Sequence, residues 1–403
     1  MDQVGTFRRI ADVLRSAQRA AIEVENAPDK RKRLRTFSAQ EVAGLLGVPH
    51  KALRLAAAQI AAERPAAPRA RLTFAEVEAL RLVFQAASGG PRFVPHRDPS
   101  RGESLAVVAF TNFKGGSAKT TSSVHFSQCM ALSGYRVLLV DLDNQGSATA
   151  QFGIDPATEI GEENSFAAWT AARDTGEAID AAGLCQATYW PAIDIVPAGA
   201  ALAAAESALA ARAASGRAEA TLYFEELRAF LAGVGDRYDI AVIDTRPDVN
   251  MLMTAALHAA TGIVVPTRAT MTDLASTGEF FAHLAGYVSD FRDAFGRELG
   301  IGFTKILVSA YDPTDRSQEA LVGLLRERFG EAVLPGEFLH SRVMGTAGFG
   351  KETLYEYEPS TDRTAYNRVL ASANAVNRGI EREVLKAWGR ATEKTGRREE
   401  ALA

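Results

Sequence analysis

The stretch Asn112-Phe113-Lys114-Gly115-Gly116-Ser117-Ala118-Lys119-Thr120-Thr121 joins an apolar run ending at Phe110 to a helical segment starting at Ser122. Its adjacent glycines leave main-chain N–H groups free to converge on an anion, and the helix N-terminus that follows adds positive potential. Lys119 suits the outer phosphates of a nucleotide. Thr120 offers a hydroxyl to Mg²⁺, an ion commonly held by one or two protein groups together with nucleotide phosphates. A chance match to Lys-Gly-Gly-x-x-Lys-Thr-Thr in a chain of this length is on the order of one in a hundred thousand. Lys114, Gly115, Gly116, Ser117, Ala118, Lys119, Thr120 and Thr121 are therefore the candidate nucleotide-binding residues.

Carboxylates end two further apolar runs: Asp141 and Asp143 close Val137-Leu138-Leu139-Val140-Asp141-Leu142-Asp143, and Asp244 closes Tyr238–Asp244. Open α/β sheets bind ligands outside the carboxyl ends of their strands. One Asp after a strand is commonly a turn or helix cap. Three strand ends facing one cradle read as a site, with Asp244 suited to outer-shell Mg²⁺ contact.

The elements that must position these groups are visible as apolar runs alternating with helical stretches: LAVVAF, RVLLVDLD, IDIVPAG, YDIAVIDT, GIVVPT and KILVSA. Such runs read as strands buried on both faces, in a doubly wound α/β domain with a mostly parallel sheet. The Ala-rich stretch 199–217 reads as helix. The 403 residues, 47% hydrophobic and 23% charged, suit two or three domains. Two cysteines are too few for a disulfide scaffold or a thiolate-held cluster, and six scattered His show no ligand spacing, so metal chemistry must rest on oxygen. No apolar run reaches the roughly 18 residues of a membrane helix. The opening residues carry no apolar signal core, and a cytoplasmic protein without a membrane partner is expected.

Residues 1–105 hold 18 Lys and Arg against 11 Asp and Glu, a net of +7, whereas the remainder holds 27 against 38, a net of −11. A basic front on an acidic body suggests nucleic acid at the basic end. Residues 1–36 begin with an amphipathic helix, Phe7, Ile10, Leu14, Ala17, Ala21 and Val24 recurring at threes and fours; the stripe can pack internally or against a twin. Residues 37–87 read as a winged or plain helix-turn-helix domain. Ser38 and Glu41 form a capping box, Gly47 can close the helix in a left-handed conformation, and Pro49 can open the next. That second helix offers His50, Lys51 and Arg54 to a major groove. Thr73 and Glu76 repeat the capping device before an apolar set Val77, Leu80 and Val83. Residues 88–104, rich in Pro and Gly, read as an exposed linker, leaving 105–403 for the nucleotide domain.

The Lys-Gly-Gly-x-x-Lys-Thr-Thr loop, the Asp-x-Asp run and the Asp244 strand resemble the ParA family of deviant Walker ATPases, across residues 105–390. The N-terminal helix with its helix-turn-helix, and the stretch from Thr353-Leu354-Tyr355-Glu356 through Ala375–Glu381, resemble the long plasmid-partition members, the RepA proteins of repABC-type replicons. The resemblance implies a P-loop NTPase fold, hydrolysis of ATP to ADP and phosphate with Mg²⁺, and an ATP-sandwich homodimer. It further implies binding to nucleoid DNA without sequence preference, a centromere-binding ParB or RepB partner that stimulates hydrolysis, and autorepression at an operator. Plasmid or chromosome copies would thereby be separated.

By the same matching, Lys114 is the signature lysine that crosses to the partner's phosphates and Lys119 the cradle lysine. Asp143 holds the attacking water, Thr120 and Asp244 serve Mg²⁺, and Asp141 is a supporting carboxylate. Three positions depart from the family pattern: Ala118 stands where glycine is usual, Asn144 where proline is usual, and Arg246 where Pro-Pro begins. Ala118 would resist a positive φ. Arg246 could meet phosphate or DNA, or pair with Asp248. Two other classes stay open, a nucleotide-gated transcription regulator without a segregation role and a MinD-like positioning ATPase; an iron-protein reductase lacks its cysteines. Arg342, Lys351, Arg363 and Arg368 are candidates for nonspecific DNA contact, and the helix around Val376, Ile380, Val384, Leu385 and Trp388 could pack in the core, form a dimer contact or meet a membrane.

Overall fold

The computed structural model describes residues 4–6, 8–10, 12–13, 16, 32–60, 71–88, 92–215, 220–341, 352–358 and 363–390. The chain divides into two units, Met1–Leu34 and Arg35–Ala403. In the first, residues 4–6, 8–10, 12–13 and 16 are helical, and Val4, Ile10 and Val13 are exposed. Phe7, Leu14, Ala17, Ala21 and Val24 of the expected stripe lie outside the described residues, as do Arg342 and Lys351.

The second unit opens with α1 (Ala39–Leu46), α2 (His50–Ile60) and α3 (Phe74–Ala86). Both capping boxes form: Ser38 with Glu41 ahead of α1, and Thr73 with Glu76 ahead of α3. Gly47 takes φ 60° and ψ 41°, the left-handed cap that turns the chain toward α2. Phe37 and Leu72 pair in an antiparallel bridge with N···O distances of 2.8 and 2.7 Å, a minimal wing. The buried face of α3 differs from expectation. Phe74, Val77, Leu80 and Arg81 are buried, whereas Val83 is 39% exposed. An arginine took a core position because it has carbonyl partners there.

Beyond a loop the elements run β1 (Ala106–Phe110), α4 (Lys119–Ser133), β2 (Val137–Leu142), α5 (Ser147–Gln151), α6 (Phe166–Thr175), β3 (Gln186–Ala187), β4 (Ile193–Val196) and α7 (Leu202–Ala214). They continue through α8 (Glu226–Val234), β5 (Ile240–Thr245), α9 (Met251–Ala259), β6 (Gly262–Arg268), α10 (Met271–Phe295), β7 (Phe303–Tyr311), α11 (Arg316–Phe329), β8 (Val333–Leu339) and α12 (Arg363–Ala387). One sheet has the order β3-β4-β2-β5-β1-β6-β7-β8, parallel except that β3 runs antiparallel to β4. The doubly wound, mostly parallel α/β fold expected from the apolar runs is present, and β1 at its centre is buried along its whole length.

Two further strands did not announce themselves. β3 is two residues long, and β8 contains Pro335 and Gly336, which suit an edge strand. Gly336 and Gly379 let α12 lie close on β8: a Cβ at either would come within 3.1 Å of Ala375 or Leu334. Val376, Ile380 and Val384 of α12 are fully buried and Trp388 nearly so, which assigns this helix to the core. Among the described residues no helix is long and apolar enough to cross a membrane.

Among the described residues of 88–104, Arg92, residues 99–102 and Ser104 are exposed and others are packed in. Composition suggested an exposed linker, yet Phe93 is buried against Phe84 with ring centroids 5.6 Å apart. Arg97 donates to Tyr238 O (2.9 Å) and Gly235 O (2.6 Å), and Arg390 pairs with Glu103 at 2.6 Å. Proline and glycine limited helix here to one 3-10 turn, Pro99–Arg101, and did not exclude burial, because neighbouring side chains hydrogen-bond the segment.

Helix α4, which the glycine-rich loop feeds, is fixed from several sides. Arg81 donates to Ser133 O (3.0 Å), Phe93 O (3.2 Å) and Leu132 O, and pairs with Glu78 at 2.9 Å, so a buried guanidinium meets the negative end of α4. On the opposite side, Glu356 accepts from Gln128 Nε2 (3.0 Å), Trp190 Nε1 (2.9 Å), Thr353 N (2.9 Å) and the Tyr189 hydroxyl. His125 bonds Thr121 O through Nδ1 (2.6 Å) and accepts from Leu354 N through Nε2 (3.2 Å). This pattern is that of a neutral imidazole, and burial holds its pKa below the ordinary histidine value.

Arg81→Met should lower unfolding free energy in urea by about 2–4 kcal/mol, because the buried carbonyls at the end of α4 lose their donors inside the protein. For His125 the folded state disfavours the charged form, so its stabilisation is complete above the ordinary histidine pKa and lost as pH falls below it. The wild-type urea midpoint should therefore drop more steeply between pH 7 and pH 5 than that of His125→Gln.

Candidate functional site

The carboxyl ends of β1, β2 and β5, parallel neighbours, lie on the edge of the sheet that the loop 112–118 leaves. Asn112, buried at the end of β1, donates to Pro266 O (2.8 Å) and Thr277 Oγ1 (3.2 Å), and accepts from Lys114 N (3.2 Å). This residue pins the start of the loop to β6 and α10. Gly115 and Gly116 are exposed, and Pro247 and the Arg268 guanidinium lie beside them, 4.0 and 3.6 Å from where their Cβ atoms would be. Ala118 adopts φ 72° and ψ 29°, the left-handed turn that starts α4. For a residue with a Cβ that conformation costs about 1–2 kcal/mol.

Lys119 is the first residue of α4 and is buried. Its Nζ donates to Lys114 O at 3.1 Å. Burial pushes the ammonium pKa down, and the carboxylates of Asp244, Asp143 and Asp248 push back. Thr120 Oγ1 donates to Asp244 Oδ2 at 2.6 Å, while among the described residues Asp244 Oδ1 and Ser117 Oγ, both buried, have no hydrogen-bond partner. An orphaned carboxylate oxygen and a hydroxyl form a hard-oxygen set that fits Mg²⁺, beside a cradle of main-chain amides that fits its phosphate ligand.

Asp141 and Asp244 stand side by side in the β2–β5 register. Burial, first, and the Asp141 charge raise the Asp244 pKa well above the ordinary carboxylate range, against the Thr120 hydroxyl and Lys119. Asp141 is pushed up to about 6 by burial, opposed by hydrogen bonds from Asp143 and Thr149. Its oxygens accept from Asp143 N (3.0 Å), Thr149 N (2.9 Å) and Thr149 Oγ1 (2.8 Å). Asp143 is half-buried, and its Oδ1 accepts from Gln145 N at 3.0 Å, the local turn contact that the commoner explanation of such an Asp anticipates. The geometry thus separates the pair: Asp141 is bound up in the fold of the loop, and Asp143 faces outward.

The structure brings together Lys119, Thr120, Asp141, Asp143 and Asp244, with half-buried Lys114 at the head of the loop. Thr121 follows in the first turn of α4, with its carbonyl held by His125. Arg246 pairs with Asp248 at 2.9 Å. His50, Lys51 and Arg54 are exposed on α2, apart from the cradle. Asn112, Thr149, Arg268 and Ser309, whose hydroxyl donates to Ser117 O at 2.8 Å, escaped the sequence reading. Asn112 and Ser309 have partners 154 and 192 residues away in the chain, and only the position of Asn112 next to the loop gave any signal.

The AAA domain family matches residues 105–299. Across 96% of each chain, the sequence is 35% identical to a protein of Rhizobium rhizogenes provisionally named replication protein A. It is 28% identical to the SopA protein of Escherichia coli strain K12, covering 82% of this chain and 83% of that one. A solved partition protein shares the fold with a TM-score of 0.64 at 18% identity, covering 97% of this chain and all of that one. With the cradle, its two lysines and the strand-end carboxylates set as described, and with a full-length relative at this identity, the chain belongs to the ParA family of deviant Walker ATPases, alongside the rhizobial replication proteins A.

Proposed function

We propose that this protein is a cytoplasmic, Mg²⁺-dependent ATPase of ParA type that partitions a replicon, dimerises around ATP and binds DNA. The observation that carries the reading is the Thr120–Asp244 hydrogen bond with a second, unpartnered Asp244 oxygen beside buried Lys119. In this reading the amides of residues 115–119 and the Lys119 ammonium bind the phosphates. Thr120 and Asp244 would hold Mg²⁺, which when bound would supply positive charge against the phosphoryl oxygens. Lys114 extends to the phosphates of a second copy. Asp143 orients the attacking water, with Asp141 fixing the loop that carries it. Hydrolysis to ADP and phosphate then needs little covalent chemistry from the protein, only positioning and charge.

Exposed His50, Lys51 and Arg54 on the second helix of a helix-turn-helix fit an operator, through which the protein represses its own expression. Exposed Arg363 and Arg368 fit sequence-independent contact with nucleoid DNA. A centromere-binding ParB or RepB protein is the partner that stimulates turnover. The relation to SopA and to the replication proteins A supports segregation of a replicon over a regulator acting on promoters alone.

Lys119→Ala should abolish ATP-dependent dimerisation in sedimentation velocity; an unchanged dimer fraction with ATP and Mg²⁺ would sink the site. Replacing His50, Lys51 and Arg54 together by alanine should weaken operator binding in a gel shift on the order of a hundredfold while ATP turnover persists. Retained operator affinity would remove α2 as the reader.

A further inference from the structure

The geometry points to Ser309 as the residue that holds the strained turn of the cradle in its nucleotide-binding shape, a positioning role that rests on the ATPase reading above. Among the described residues two non-glycine positions are left-handed, Ala118 at φ 72° and Ala310 at φ 48°. Each follows a buried serine, Ser117 or Ser309, and the two serines are joined by the 2.8 Å hydrogen bond from Ser309 Oγ to Ser117 O. Ser309 sits on β7, two strands from β1, opposite Arg268 of β6. The β7–β8 register slips between Val308 and Tyr311, the irregularity that contains Ala310. Such bulges re-aim a side chain beside functional loops.

A peptide unit is planar and trans, so its C=O and N–H point in opposite directions. Fixing Ser117 O therefore fixes the direction of the Ala118 N–H, one of the amides of the cradle. It also restrains rotation about the Ser117 ψ and Ala118 φ angles, which move that plane. Glycine at 118 would adopt φ 72° freely, whereas alanine resists it. Alanine in the glycine position thus needs an external hold, and the Ser309 hydroxyl is placed to provide it.

The test is calorimetric titration of the full chain with ADP and Mg²⁺. Ser309→Ala should weaken binding about tenfold, the loss of one hydrogen bond to the loop. Adding Ala118→Gly to that variant should restore the affinity, and Ala118→Gly alone should bind like wild type. A thermal melt identifies any Ser309→Ala protein that fails to fold, in which case Ser309→Cys, similar in volume with a weaker donor, replaces it in the same cycle. Wild-type affinity in the Ser309 variant, with binding lost in Lys119→Ala, overturns the proposal and leaves the site standing. Weakened binding that Ala118→Gly does not restore also overturns it, since a merely structural serine would behave so. Wild-type affinity in Lys119→Ala would instead refute the nucleotide site.

Discussion

Helix α4 is buried almost throughout: Lys119 and every residue from Ser122 to Ser133 are inside the protein. A helix in that position cannot leave its terminal groups to water, so both ends of its dipole must be answered by the protein or by a ligand. At the carboxyl end the answer is internal. Gly134 turns at φ 96° and returns its N–H to Ala131 O at 2.9 Å, and the Arg81 guanidinium covers Leu132 and Ser133. At the amino end the side chain of Ala118 supplies no cap, and the loop 115–118 opens outward. That asymmetry makes the amino end a receptor for an anion, and the rest of the sheet is arranged to hold it still.

The same helix ties the N-terminal helices α1–α3 to the nucleotide domain. Arg81 comes from α3, while Phe74 at the start of α3 packs edge-on against Trp190, 6.2 Å between ring centroids. Trp190 in turn donates to Glu356, whose segment also accepts Arg35 Nε at Tyr355 O (2.8 Å) and the Arg71–Glu358 ion pair. Arg35 and Arg71 flank the Phe37–Leu72 bridge. The wing, α3 and the 352–358 segment therefore share one polar network with the side of α4 that carries His125 and Gln128. These contacts place α1–α3 in the same compact unit as the nucleotide domain, Arg35–Ala403.

What could be read from the sequence was whatever depends on near neighbours. Apolar runs gave six strands, capping spacings at Ser38 and Thr73 gave two helix starts, and Gly47 gave a helix end, because each rests on contacts within a few residues. The cradle was legible for the same reason: its lysines, glycines and threonines are consecutive. Arg81 was not legible, since an arginine in an amphipathic helix reads as solvent-facing until carbonyls 51 and 52 residues away are brought beside it. Asn112 and Ser309 depend on partners 154 and 192 residues distant. β8 was hidden by a proline and a glycine that a central strand would exclude but an edge strand under a helix accepts.

The carboxylates show how burial can divide tasks among residues that look alike in sequence. Asp141 and Asp244 lie on adjacent strands with no exposure, and each disfavours the charge of the other. Two such groups ionise together only if positive charge is near, and Lys119 supplies one such charge to the pair. Asp141 offsets its part of the cost with three hydrogen bonds, one from Asp143 and two from Thr149 of α5. Asp244 has one hydrogen bond and one orphan oxygen, so a further cation beside it would relieve its conflict, which is the property the proposed Mg²⁺ role requires. Asp143 adds its charge to the conflict of both buried carboxylates, but it stands one residue beyond the end of β2, half in solvent, where a carboxylate can meet a water without first being desolvated.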